Sequence, residues 1–272
     1  MLIHIANYLA DCNLRVECIE DLDEAISSWV EYIFFEGEAK GLASDGLASL
    51  QYHLPQSAGH LRMSWKLVRT WQKVEPPTRV IPLSPMLARA FAGACVLSGK
   101  IAEAAAILMA FDAMLRPGEL YVVAVKDLTF YATKAVLTLR DTKTGKRKGA
   151  GEMVVINSAL ANRWLRIACR ARRPNDLLLL DGPPSFRLLF RNLVSHFGLQ
   201  GLYAVYSLRR GGATWDFLLH QSMERTLLRG RWTSTSTARI YLQDTVATMA
   251  NLSLTPFQRV HARMAGAALG SL

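Results

Sequence analysis

The stretch Tyr206–Thr214, YSLRRGGAT, sets two adjacent arginines directly ahead of two adjacent glycines. Ser207 is a natural N-cap, so the stretch predicts a helix opening there, with Arg209 and Arg210 in its first turn. Cations are the wrong sign for that end, where the helix dipole favours anions. The mismatch becomes sensible when a phosphate docks at the helix start, held by backbone N–H groups and a guanidinium fork. Gly211 and Gly212 weaken a helix interior, and a second backbone lying against them would explain their presence.

Three more clusters extend this reading. In MLRPGEL (Met114–Leu120), Arg116 and Glu119 stand three residues apart and can share a helical face. The basic run TKTGKRKGAG (Thr142–Gly151) separates two β-branched, alternating runs, AVLTLRD and EMVVIN. That order predicts a strand, a basic hairpin and a second strand, with Lys143, Lys146, Arg147 and Lys148 at a tip that is ordinarily a solvated turn but is also a shape that can reach into a DNA groove. The next helix carries Arg163, Arg166 and Arg170 along one face, with Arg172 and Arg173 just beyond. Near the C-terminus runs GRWTSTSTARIYLQD, Gly230 to Asp244. A lone Tyr241 would ordinarily be a half-buried aromatic with its hydroxyl in water. Beside two arginines and a lysine it becomes a candidate nucleophile. Attack on a phosphodiester builds charge on non-bridging oxygens that arginines bind bidentately, while a lysine protonates the leaving oxygen.

Composition narrows the alternatives. The six histidines are scattered and show no ligand spacing, and neither a Walker loop nor paired metal carboxylates are visible. The expectation is therefore phosphoryl transfer with no metal and no cofactor. Cys12, Cys18, Cys95 and Cys169 form no C-x-x-C pair and read as free thiols of a reducing compartment. The start lacks a basic region ahead of its apolar residues, and the longest apolar run is too short to cross a bilayer. An intracellular, DNA-associated protein without a membrane partner is expected.

Net charge is +10, unevenly spread. Residues 1–60 hold two basic residues (Arg15 and Lys40) against ten acidic ones, a net of −8. The remainder holds 30 basic against 12 acidic, a net of +18, which suggests a polyanionic partner.

Four prolines in KVEPPTRVIPLSP (Lys73–Pro85) predict an extended linker. The expected organisation is a helical N-terminal domain over 1–72, a linker over 73–85 and a larger domain over 86–272. The fold class is mainly α with a small antiparallel β-sheet (α+β). Helices are expected over SPMLARAFAGACVLSG and IAEAAAILMAFDAMLRPGEL, the latter interrupted near Pro117–Gly118. Trp164 and Trp215 are expected to serve packing alone.

In this order, Arg116-x-x-Glu119, Lys143, YSLRRGGAT and GRW followed by Tyr241 resemble the tyrosine recombinase (phage integrase) superfamily, and its Cre-like members in the catalytic domain. The resemblance spans about residues 87–250 and rests on the combination of motifs. It implies that Arg116 and Arg209 bind the scissile phosphate, with Arg209 closing the family's H-x-x-R. Trp232, nine residues before Tyr241, would donate its indole N–H to that phosphate, and Glu119 would hold Arg116. Lys143 best matches the family's general-acid lysine, with Lys146 and Lys148 also open. Tyr241 would form a 3′-phosphotyrosine bond, and a homotetramer on double-stranded DNA would exchange strands. Lys146, Arg147, Lys148, Arg163, Arg166, Arg170 and Arg210 are expected to contact DNA. The segment after Tyr241 would dock onto a neighbouring copy. Tyr206 stands where the family has histidine, and a phenol with a pKa of about 10 is a poor base near neutral pH. A DNA-binding relative that does not cut, and a type IB topoisomerase-like enzyme, are the alternative readings.

Overall fold

The structure, a computed structural model, describes residues 2–75, 79–140, 152–242 and 244–270. The chain divides into two compact units, Met1–Thr78 and Arg79–Leu272.

The first unit consists of α1 (Leu2–Asp11), α2 (Ile19–Phe35), α3 (Lys40–His53) and α4 (Arg62–Val74). Ile26, Trp29 and Ile33 recur at helical spacing on α2 and are fully buried, against Leu47 of α3 and Val68 of α4. Each such side chain contributes about 1.5–3 kcal/mol of burial. Leu61, ahead of α4, offers no side-chain cap. Asp23 of α2 takes that role, accepting from Met63 N at 2.9 Å, Ser64 N at 3.0 Å and Ser64 Oγ at 2.6 Å. Burial would raise the Asp23 pKa, but the bonds from Ser64 and Met63 hold it below the usual carboxylate range. The ends of α2 and α4 are thereby locked together.

The second unit is built around α6 (Ile101–Asp112), which is apolar on every side. Ala104, Ala105, Ala106, Ile107 and Met109 are fully buried, as such a pattern requires. Helices α5 (Pro85–Leu97) and α8 (Ala159–Cys169) pack against it. Strands β1 (Leu128–Phe130), β2 (Ala135–Leu139) and β3 (Glu152–Ile156) form an antiparallel sheet in that order, with Ala135 opposite Ile156 and Leu139 opposite Glu152. The two alternating runs are β2 and β3. The hairpin tip between them lies outside the described residues.

Residues 79–84, within the expected linker, belong to the second unit. Ile81 N donates to Leu202 O at 2.8 Å and Leu83 N to Ser207 O at 3.0 Å, with Leu83 fully buried. The C-terminal helix α14 (Pro256–Ala267) lies on α5 of its own unit, so close that a Cβ on Gly93 would come 1.8 Å from Ala265 O. Trp164 is fully buried, whereas Trp215 is 43% exposed.

Candidate active site

Helix α6 stops at Asp112, and the chain reverses through Met114 in a left-handed backbone (φ 48°). The one-turn helix α7 (Pro117–Tyr121) then begins at Pro117. The break precedes Pro117–Gly118 by several residues because proline pushes its predecessor out of helical backbone and is itself suited to a first helical position. Arg116 is consequently the N-cap of α7. Its N–H donates to Glu119 Oε2 at 2.8 Å, and its Nη1 pairs with Oε1 at 2.6 Å. One carboxylate holds both ends of the arginine.

Helix α10 (Tyr206–His220) carries the arginine–glycine stretch. It starts at Tyr206, one residue ahead of the predicted cap. Ser207 therefore lies within the helix, and its Oγ instead accepts from Ala204 N at 3.1 Å. The glycines behave as expected: a Cβ on Gly211 would come 1.9 Å from Leu83 O, and one on Gly212 would come 2.0 Å from Phe111 O. Those two approaches press α10 against the extended segment and the end of α6.

Arg209 is thereby driven into the interior, with 0% exposure. Its Nη1 donates to Met114 O and its Nη2 to Gly230 O at 2.7 Å. The guanidinium also lies over the Trp232 ring, 4.7 Å from the centroid. Burial first, then the charges of Arg116 and Arg231, push its pKa down to about 10, so it remains cationic at neutral pH. Tyr206, one turn earlier and half-buried, is among the groups acting on Arg209. Arg210, expected to contact DNA, is likewise almost fully buried, 3% exposed.

Helix α11 (Met223–Gly230) ends at Gly230, where a Cβ would come 1.8 Å from the Trp232 ring. Trp232, 8% exposed, packs with Met114, Ala213 and Ala238. Ala238 belongs to α12 (Thr235–Tyr241), so this cluster fixes the helix whose last residue is Tyr241. The side chain of Tyr241 lies outside the described part, as do Lys143, Lys146, Arg147 and Lys148. Asp216, 3% exposed, clamps the α10–α11 corner by accepting from Thr226 Oγ1 at 2.8 Å and Arg229 Nη1 at 2.5 Å.

Two features escaped the sequence reading. Arg231 occupies a left-handed position (φ 58°) just after α11, its guanidinium nearly buried. It pairs with Glu119 Oε2 at 2.5 Å and Glu152 Oε2 at 3.5 Å. Only its place inside GRW could have drawn attention to it. The second feature is on α4, where Arg62, Lys66, Arg69 and Lys73 are all exposed. At 100° per residue they fall within about 60° of arc and span about 16 Å of helix. A charge sum that stops at residue 60 conceals them.

Arg163, Arg166 and Arg170 are exposed on α8, as the spacing predicted. Arg166 also has a local task, donating to Tyr131 O at 2.6 Å while lying 5.0 Å over the Phe130 ring. Among the described residues no group of three or more His, Cys, Asp or Glu could hold a metal ion.

A largely helical unit with a three-stranded antiparallel sheet, its buried arginines converging between α7, α10 and α11, has the fold of the tyrosine recombinases. Among solved structures, the chain is similar to the XerA recombinase (TM-score 0.51, 16% identity, covering 94% of this chain and 98% of that one). It is also similar to a lambda integrase dimer bound to a COC′ core site (TM-score 0.56, 15% identity, 89% and 88% covered). A third likeness is to the Tn1549 transposon integrase in complex with a circular intermediate DNA (TM-score 0.55, 14% identity, 84% and 85% covered). No protein-family model and no curated protein matches the chain.

Proposed function

We propose that this chain is a site-specific DNA recombinase or integrase that cleaves and rejoins duplex DNA through a phosphotyrosine. One observation carries the reading: Arg116, Arg209 and Trp232, far apart in sequence, converge on one small region beside the helix that ends in Tyr241. In the proposed reaction, the Tyr241 hydroxyl gives up its proton to solvent as its oxygen attacks the scissile phosphorus, and the bond to the 5′-oxygen breaks. Arg116 and Arg209 bind the non-bridging oxygens as their charge grows, and Lys143 supplies the proton that the 5′-oxygen takes up. A 5′-hydroxyl from a second strand reverses the step, so bond energy is conserved and neither metal nor cofactor is required.

Duplex DNA is the proposed partner. The α4 stripe supports this despite the acidity of residues 1–60, because its four cations share one exposed face. The exposed cations of α8 add a second basic face. Assembly as a homotetramer on DNA is proposed from the family resemblance. It is supported by the outer face of α14, where Phe257, Val260 and Met264 are 77%, 54% and 69% exposed. No described helix is long and apolar enough to cross a membrane, and a DNA-associated, intracellular location follows from the proposed chemistry.

A nicked duplex that loses a short 5′-hydroxyl fragment after cleavage traps the covalent intermediate and tests the reading. The chain should accumulate a protein–DNA adduct, and Tyr241→Phe should abolish it with affinity within about twofold, since only a hydroxyl is removed. An adduct that survives Tyr241→Phe excludes this nucleophile. A second reading, DNA binding without cleavage, is favoured by one observation, Tyr206 in place of an imidazole. It predicts no adduct at any pH.

A further inference from the structure

We infer that Arg231 is a positioning residue for Arg116, acting through the carboxylate of Glu119; this rests on the strand-cleavage reading above. The residue after α11 has φ 58° and ψ 41°, a backbone that glycine adopts freely and other residues resist. An arginine there must be held by what its side chain does. That side chain is 9% exposed, and burial lowers its pKa while Glu119 and Glu152 oppose the shift. Its Nη2 donates to Glu119 Oε2 at 2.5 Å, its Nη1 to Ala113 O at 3.3 Å, and its Nε lies 3.5 Å from Glu152 Oε2.

The geometry makes Glu119 a junction. Oε1 holds the Arg116 guanidinium, and Oε2 is shared between the Arg116 N–H and Arg231. Arg231 therefore fixes the plane of the carboxylate that orients Arg116. Removing it leaves the carboxylate held only by Arg116 itself, so nothing outside that pair, among the described residues, fixes where the guanidinium sits. The Glu152 carboxylate, 3.5 Å away at the start of β3, adds a weaker Coulombic attraction. No second arginine–carboxylate pair of α7 performs this task among the described residues. Lysine cannot replace it, because a single ammonium lacks the planar fork that reaches Glu119 Oε2 and Ala113 O together.

Adduct formation on the nicked duplex, measured for Arg231→Gly, Arg231→Lys, Arg116→Ala and the Arg116→Ala/Arg231→Gly pair, tests the inference. Glycine suits the φ at this position, so the backbone is not what the substitution disturbs. Arg231→Gly should slow cleavage by about 10- to 100-fold with DNA affinity within about twofold, and Arg231→Lys should fail to restore the rate. In the Arg116→Ala background, Arg231→Gly should cause no further loss, which a merely structural strut would not produce. Full, independent loss in both backgrounds overturns the inference, as does an unchanged rate for Arg231→Gly. Should the glycine variant melt below the assay temperature, the cycle is run with Arg231→Lys under the same two criteria. If Arg116→Ala itself leaves cleavage intact, the fault lies instead with the strand-cleavage reading.

Discussion

Tyr206 shares the first turn of α10 with Arg209, and what its hydroxyl can do sets the chemistry available there. A phenol donates a hydrogen bond to a phosphate oxygen but does not readily accept a proton near neutral pH. An imidazole can do both, and positioned acid–base help is worth about 10²–10⁴-fold. Tyr206→His should therefore accelerate adduct formation, by less than that range because the surroundings fit a phenol. The gain should fade below pH about 6.5, where imidazole is already protonated. A slower reaction at every pH would identify Tyr206 as a specific donor or a packing group. At this scale the sequence was only partly legible. Arg209 was readable because two cations at a helix start contradict the helix dipole. Arg231 was not, because nothing in one residue's identity reveals that its backbone is left-handed or that Glu119 waits within reach.

Glycines 211 and 212 show why elements were easier to read than their neighbours. Paired glycines in a helix demand a close approach, and the backbones that approach are those of Leu83 and Phe111. Which backbones those would be was not legible, since both lie about a hundred residues or more upstream. Gly212→Ala should destabilise the second unit by about 1–3 kcal/mol, because Phe111 O is backbone and cannot swing aside. Thermal or urea unfolding measures this, and an unchanged midpoint would mean that α6 and α10 separate at little cost. Strands β2 and β3 were legible from alternation, whereas the three-residue β1 was too short to show any. Helix α4 was legible as a helix but its cationic face was not, because a charge sum broken at residue 60 counted those cations with the rest of the basic chain. Replacing Arg62, Lys66, Arg69 and Lys73 with glutamine should flatten the dependence of log K on log salt by up to about 0.9 for each phosphate no longer neutralised. An unchanged slope would assign that face to solvent.

For the whole molecule, the decisive feature is that α14 is docked on its own α5 and still presents an apolar stripe outward. The docking is intimate, with backbone at Ala265 resting against Gly93, so the inner face is already covered within the chain. Phe257, Val260 and Met264 recur at i, i+3 and i+7, the spacing of a helix face, yet remain largely exposed. Such a stripe on a soluble surface ordinarily marks an interface. If the proposed tetramer forms through it, replacing all three with serine should leave the fold intact, because none contributes a buried core side chain. Adduct formation on a single nicked half-site should persist, since the arginines and Tyr241 are untouched. Assembly of two sites into one complex should fall by at least about tenfold, which corresponds to the loss of about 1.4 kcal/mol of interface energy. Light scattering of the DNA complexes and recovery of recombinant product measure the two arms separately. Parallel loss of half-site cleavage would show that the stripe supports the active unit itself, and undiminished assembly would place the subunit interface elsewhere.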